Sequence, residues 1–423
     1  MSDLNPTKSL TAELQLSMRL GSVKESATLR LNGMVQKMKA QGIDVANFTT
    51  GEPDFPVREE VKQAVISAVH ANRSKYTPVA GIPELRQAVA DEMSFRQSQL
   101  DRWNSSHVVV SNGAKQAIFN ALFCLVNPGE TVLVPAPYWL SYPEMVRMVG
   151  GEPETLQMTV SEGYRLQAEV LASALQKARQ ESRVVRALFL NSPSNPTGAI
   201  LSREDLTAIG QVIREHQAQV KETLWVISDE IYDQLVFPGS ESVSFLNACP
   251  DLVNQTVTIN GLSKSDSMTG WRVGWSVTRT DLSKKMEIVQ GQMTSGIASL
   301  VQWGALAALD LKKNLRAKSQ VDSHFEAQLD EYRKRRDRAY AVLSQSQVLD
   351  LFMPQGAFYL FVGVNRAFSS GEDSVQYCER VLEKARVALV PGEAFGAPQC
   401  VRLSFATDLK TLEEGCQRWV SLG

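Results

Sequence analysis

Between residues 107 and 261, five short apolar runs recur with amphipathic stretches between them: HVVVS from His107, TVLVPAP from Thr131, ALFLNSP from Ala187, LWVISDE from Leu224 and TVTING from Thr256. Near-continuous apolar runs of strand length suit strands buried on both faces, and their alternation with helical segments predicts a parallel sheet covered by helices above and below. Helical periodicity is visible in Val57, Val61, Val65 and Val69 and again from Ser374 to Ala385. The expected class is α/β, with a three-layer αβα large domain around a mostly parallel sheet. Further on the texture changes to one long charged helical stretch from about Lys312 to Ser344. Strand-like GAFYLFVGV, a helix, VRLSFA and a final helix from about Leu409 follow, as in a smaller α+β domain. A chain of 423 residues is too long for one core. The expected division is 1–65 for an N-terminal arm and part of the small domain, 66–310 for the large domain and 311–423 for the small one.

Composition excludes several function classes. With 44 basic against 46 acidic residues, the net charge of -2 suggests neither nucleic acid nor a membrane surface as partner. No apolar stretch approaches the roughly 18 residues that span a bilayer. The opening segment MSDLNPTKSLTAELQLSMRL shows neither the apolar run of a secretory signal nor the Arg-rich character of a transit peptide, so the expected location is cytoplasmic. Cys124, Cys249, Cys378, Cys400 and Cys416 are scattered, as expected of reduced, mostly buried thiols. Neither they nor His70, His107, His216 and His324 show the spacing of a metal site or a catalytic triad, and no metal is expected.

Chemistry is expected where the strands end, because ligands of open α/β sheets bind outside the carboxyl ends of the strands. Ser111-Asn112-Gly113-Ala114-Lys115-Gln116 follows a strand and opens an apolar helix. Free backbone N–H groups there make an anion site, although a plain structural turn has the same signature. Asn260-Gly261-Leu262-Ser263-Lys264 follows another strand, with Met268-Thr269-Gly270-Trp271-Arg272 just beyond. An isolated loop lysine is usually only solvated. Beside Arg272, which suits a phosphate bidentately, and the Ser263 hydroxyl, Lys264 instead fits an imine-forming amine next to an anionic carbonyl cofactor. Asp229 and Tyr232 in LWVISDEIY stand at the end of an apolar strand. A carboxylate there either caps a helix or pairs with a cation such as a pyridinium nitrogen. The loop Asn191 to Gly198 reads as turn chemistry, and Trp139 as either a core aromatic or a stacking platform.

In this order, GEPDF from Gly51, YTPVAGIPELR from Tyr76, SNGAKQ, NSPSNPTG, SDEIY, GLSK, MTGWRVGW, PQGAFYLF from Pro354 and VRLSFA around Arg402 resemble the class I aminotransferases of fold type I, which are pyridoxal-phosphate enzymes. The resemblance runs from about residue 20 to the C-terminus. It implies pyridoxal 5'-phosphate as cofactor, with Lys264 as the Schiff-base lysine and proton carrier. Asp229 would pair with the pyridine nitrogen, and Asn195 and Tyr232 would bind the phenolic oxygen. Trp139 would stack on the ring, while Gly113, Ala114, Ser263 and Arg272, with Lys115 in the same loop, would lie around the phosphate. Arg402, Gly51, Asn195 and Trp139 would form the substrate side. Tyr76 would reach the phosphate held by a neighbouring subunit, implying a homodimer with shared sites.

The Gly-Ala-Lys phosphate loop and PYWLSYPEMV from Pro137 are similar to the bacterial-type aspartate aminotransferases. There the lysine meets a distal carboxylate, which makes Lys115 the candidate, or else a helix-start lysine with no such role. The implied reaction is transamination between aspartate and 2-oxoglutarate. Prephenate, aromatic or other amino acids, a lyase reaction on the same cofactor, and a cofactor-binding regulator remain as alternatives. One departure stands out: Lys264 is followed by Ser265-Asp266-Ser267 where the family usually has small, aromatic and small residues. An acid near a phosphate is repulsive unless it is paired or turned away.

Overall fold

The computed structural model describes residue 21, residues 27–98 and residues 103–422. Residues 1–20 and 22–26 of the expected N-terminal arm lie outside the described residues. In chain order the strands are β1 (Ala46–Asn47), β2 (Val108–Asn112), β3 (Thr131–Ala136), β4 (Glu152–Gln157), β5 (Val185–Asn191), β6 (Trp225–Asp229), β7 (Thr256–Gly261) and β8 (Val273–Val277). They continue with β9 (Asp350–Leu351), β10 (Tyr359–Gly363), β11 (Val387–Ala388), β12 (Val390–Pro391) and β13 (Cys400–Ser404).

The five apolar runs become β2, β3, β5, β6 and β7 of a seven-stranded sheet ordered β2-β8-β7-β6-β5-β3-β4. Alternation along the strands produces the three layers. On β5, Ala187 and Phe189 pack with Ala117, Ile118 and Ala121 of helix Gly113–Leu125. Leu188 and Leu190 pack on the other face with Leu206, Ile209 and Ile213 of helix Arg203–Gln217. Two strands lie outside the five runs. The edge strand β4 has the sequence EPETLQ, of which only Leu156 is buried, so it lacks an apolar signal. Strand β8 is fully buried and antiparallel to both β7 and β2, whereas the other neighbours pair in parallel. The carboxyl ends of the parallel strands therefore share one edge. Because β8 runs the opposite way, Arg272, the residue before it, arrives at that same edge.

A second core gathers Phe358, Tyr359, Leu360 and Val362 with helices Ser323–Leu343, Ser374–Ala385 and Leu409–Val420. The antiparallel sheet β12-β13-β10-β9 lies within this region, and β1 pairs in parallel with β11. Ala46 and Phe48 join this core from the early part of the chain, which brings Gly51 beside Arg402 on β13.

The charged stretch Lys312 to Ser344 is not one helix, contrary to its periodicity. Helix Ser299–Ala317 ends and helix Ser323–Leu343 begins anew. Ser319 adopts a left-handed φ of 51°, and Asp322 caps the second helix by accepting a hydrogen bond from the Phe325 amide at 3.1 Å. No Gly or Pro marks this break. Helix Glu59–His70 likewise starts two residues after Val57, and Val69 on it is exposed. No helix among the described residues is long and apolar enough to cross a membrane.

Candidate active site at the carboxyl edge of the large sheet

A cavity of about 410 Å³ opens at this edge. Its lining brings together Gly51, Ala114, Lys115, Trp139, Asn195, Asp229, Tyr232, Ser263, Lys264, Arg272 and Arg402. Gly113 lies just behind the lining, where φ is +77° and a Cβ would stand 2.6 Å from Arg272 Nη2. Only glycine fits that conformation and that approach. Tyr76 is not brought into the cavity and is 98% exposed.

Lys264 sits in the turn after β7, and its Nζ donates to the Gly51 carbonyl at 2.6 Å. Burial, followed by the charge of Arg402, pulls its ammonium down to about 8, against the opposing pull of Glu52. Asp229 is the last residue of β6 and is followed by a turn rather than a helix, so it is not a helix cap. Its Oδ2 accepts from Tyr142 Oη at 2.6 Å and its Oδ1 from the Ile231 amide at 3.2 Å. Burial raises its pKa to about 6, while those hydrogen bonds and Lys264 act the other way. Tyr232 shares a hydrogen bond of 2.8 Å with Tyr359, both hydroxyls being buried.

Arg402 on β13 is 3% exposed, and burial lowers its pKa. Its Nη1 donates to Asn195 Oδ1 at 3.0 Å and its Nη2 to the Thr49 carbonyl at 2.8 Å, while Nε has no partner among the described residues. Asn195 is oriented in turn by Asn191, whose Oδ1 accepts from the Asn195 amide at 2.9 Å. Arg272 takes the left-handed conformation, φ 57°, and donates to the Thr269 and Asn112 carbonyls at 3.0 and 3.2 Å. Lys115 stands at the rim with its Nζ 5.0 Å from the Trp139 ring centre, its pKa lowered by desolvation and then by the charge of Arg272. Among the described residues, none of Lys115, Lys264, Arg272 and Arg402 forms a carboxylate ion pair. Four cations thus face a cavity whose lining carries only Glu52 and Asp229 as carboxylates.

The family sequence profile described as "Aminotransferase class I and II" matches residues 43–418. The chain belongs to that aminotransferase family. A probable aspartate/prephenate aminotransferase of Rhizobium leguminosarum bv. phaseoli is 36% identical to it, over 94% of this chain and 96% of that protein. The aspartate aminotransferase of Bacillus subtilis is 34% identical, over 96% of this chain and 98% of that one. Among solved structures, an aspartate aminotransferase from Thermus thermophilus with maleate superposes with a TM-score of 0.86 at 36% identity, covering 97% of this chain and 100% of the other. One from Rhizobium meliloti superposes at 0.87 with 33% identity, covering 96% and 98%. The protein is an enzyme, a pyridoxal-phosphate aminotransferase of fold type I acting on small amino and oxo acids.

The aminotransferase's own residues fit that cofactor. The excess of cations suits a phosphate and carboxylates, and Arg402, whose buried Nε has no partner among the described residues, lines the same cavity. Asp229, a buried carboxylate without a cationic neighbour in ion-pair range among the described residues, suits a protonated ring nitrogen. At Gly274 a Cβ would lie 2.3 Å from the Ala114 amide, so the missing side chain lets β8 pass directly under the loop where the helix starts. Sequence reasoning missed Tyr142, Tyr359 and Asn191, which brace Asp229, Tyr232 and Asn195. Tyr142 and Tyr359 both lie inside motifs already noted, yet nothing in those motifs says that their hydroxyls turn toward the site. Asp266, the departure beside Lys264, is paired with Lys312 at 2.6 Å and does not line the cavity, so the expected repulsion is absent.

Proposed function

We propose that this aminotransferase moves the amino group of L-aspartate to 2-oxoglutarate. The observation that carries this substrate choice is the pair of cations, buried Arg402 and rim Lys115, that share one cavity without a carboxylate partner among the described residues. A four-carbon dicarboxylic amino acid offers one carboxylate to each. The names of the Bacillus relative and of the Thermus structure, the latter solved with the dicarboxylate maleate, support the same choice. Prephenate, which the Rhizobium relative's name adds, is a second dicarboxylic oxo acid that suits the same two cations.

Pyridoxal 5'-phosphate supplies a carbonyl for imine formation and a ring that withdraws electrons from the substrate Cα. Arg402, fixed by Asn195 and the Thr49 carbonyl, clamps the α-carboxylate and so orients the Cα–H bond. Lys264, with an amine near working pH, takes that proton and returns it. Asp229 would keep a proton on the ring nitrogen, Tyr232 and Asn195 would hold the phenolic oxygen, and Trp139 would hold the ring. Arg272, Ser263 and the backbone of Gly113 and Ala114, at the N-terminus of helix Gly113–Leu125, would hold the phosphate. Gly51 lines the substrate side, since a Cβ there would stand 3.0 Å from Tyr359 Oη.

The homodimer is part of the same proposal: Tyr76, nearly fully exposed on one protomer, would complete the phosphate site of its partner. So is the division at 1–65, 66–310 and 311–423: most of the core around the large sheet lies within 66–310 and much of the second core within 311–423, while Val61 joins the first and Ile231, Tyr232, Leu235 and Phe237 the second. The substrate assignment is tested by comparing aspartate with alanine in the wild type and in Lys115→Ala. Losing one charge-assisted contact should lower kcat/KM for aspartate by about 10- to 100-fold and leave alanine nearly unchanged. An equal fall for both amino acids would remove Lys115 from substrate recognition.

A further inference from the structure

The turn that carries Lys264 is weakly braced by its own backbone. Leu262 O accepts from the amides of Asp266 and Met268, both at 3.3 Å, near the long end of such bonds. What holds the turn comes from elsewhere in the chain. Two residues after Lys264, Asp266 accepts from the Ser265 hydroxyl at 2.5 Å and from Lys312 Nζ of helix Ser299–Ala317 at 2.6 Å. Side chains of this pair are only 6% and 10% exposed.

The pair belongs to a larger set that is buried at Glu92 and Asp266 and half-buried at Arg96, Asp233 and Arg316. Arg96 of helix Pro83–Arg96 bridges Glu92 at 2.7 Å and Asp233 at 2.8 Å, and Arg316, one helical turn beyond Lys312, reaches Glu92 at 2.5 Å. Asp233 follows Tyr232 directly and accepts from Asn260 Nδ2 at 3.0 Å, while Asn260 Oδ1 accepts from the Gly261 amide at 2.7 Å. Arg96, Lys312 and Arg316 thus balance Glu92, Asp233 and Asp266 in charge. The set touches both segments that bring chemistry to the cavity: Asp233, after β6, is held by helix Pro83–Arg96 and Asp266, after β7, by helix Ser299–Ala317, and Arg316 with Glu92 joins the two helices.

We propose that the Asp266–Lys312 pair, with Arg96 and Asp233, is a positioning device for the reaction, fixing the turn that carries Lys264 against the segment that carries Asp229 and Tyr232. It rests on the reading of Lys264 as the residue that bonds the cofactor. Neither Asp266 nor Lys312 lines the cavity, so they act through Lys264 and not on substrate. Transamination needs the Lys264 amine first at the cofactor carbonyl and then at the substrate Cα. A turn free to shift by even an ångström loses both alignments.

The test uses Asp266→Asn, Lys312→Met and the double variant Asp266→Ala with Lys312→Met, each read by three measurements. These are the rate at which cofactor-free protein forms a borohydride-trappable bond with pyridoxal phosphate, kcat and KM for aspartate, and the thermal midpoint. Each single variant should slow bond formation and kcat by about 10-fold with KM moved less than about twofold. The double variant leaves no member of the pair charged and unpartnered, so it should recover the thermal midpoint yet stay slow. If a single variant does not fold, the double variant alone decides. Recovery of bond formation and kcat together with the thermal midpoint would reduce the pair to structural support and overturn the proposal. So would opposite rate changes in the two single variants, which would show a field effect of charge and not placement. Trapping of the wild-type cofactor on a residue other than Lys264 would overturn the underlying reading, and the proposal with it.

Discussion

The floor and the rim of the cavity are built differently. On the floor, Asp229 and Tyr232 are each 3% exposed, end on or just beyond a buried strand, and are held by the Tyr142 and Tyr359 hydroxyls. At the rim, Lys115, Arg272 and Glu52 are exposed, and Lys115 has only an aromatic face beside it. Burial moves proton affinities on the floor, bringing Asp229 up to about 6 and Lys264 down to about 8, toward each other and toward neutral pH. Rim cations Lys115 and Arg272 remain open to incoming anions, although desolvation and the charge of Arg272 lower the Lys115 pKa. Under the proposed roles, the floor would set the type of reaction and the rim would set which acid is accepted.

Substitutions on the two surfaces should therefore fail in different ways. The largest effect belongs to the floor: Lys264→Ala should lower kcat by about 10⁴-fold in single-turnover absorbance measurements, since both imine exchange and proton transfer depend on it. Asp229→Asn should follow with about 10³-fold in kcat and little change in KM, the signature of a group needed only in the transition state. Arg402→Lys, which loses the two-pronged grip at the boundary between floor and rim, should raise KM for every amino acid by about 10- to 100-fold. A comparable loss confined to dicarboxylic substrates would move Arg402 to the rim side of the comparison.

Smaller effects sharpen it. The Lys264 amine must be uncharged to bond the cofactor carbonyl, so uptake of pyridoxal phosphate by cofactor-free protein should rise with pH and level off above about 8. A plateau reached only near pH 10 would mean that the lysine is not desolvated. Smallest is Tyr142→Phe. It removes a hydrogen bond that lowers the Asp229 pKa, so that value should climb further above 6 and the acid limb of the kcat profile should move to higher pH. The loss should be about 3- to 10-fold near pH 6 and should fade as pH rises.

Much of the floor was legible in the sequence because its residues follow apolar runs directly, and parallel strands deliver their carboxyl ends to one edge. That rule placed Asp229 and Lys264 near the edge, while their roles, and any role for Asn195 beyond turn chemistry, came from the resemblance to the class I aminotransferases. Strand β4 was not legible, because an edge strand reading EPETLQ buries a single side chain and leaves no apolar pattern. Nor was the break at Ser319 to Asp322, since a capping aspartate inside a charged helical pattern resembles any other exposed acid. The bracing tyrosines and the partner of Asp266 were hidden for a different reason. Lys312 lies 46 positions from Asp266, on a helix that meets the turn only in three dimensions. An acid that looked repulsive beside a phosphate loop is instead one half of a buried pair.

One measurement tests the central claim most directly: the visible absorbance of the cofactor-loaded enzyme as amino acids are added one at a time, in the wild type and in Lys264→Ala. Aspartate and glutamate should bleach the wild-type absorbance within a turnover, 2-oxoglutarate should restore it, and Lys264→Ala should not complete the cycle. Wild-type absorbance unchanged by aspartate, or a Lys264→Ala variant that cycles at the wild-type rate, would contradict the assignment of transamination to this lysine.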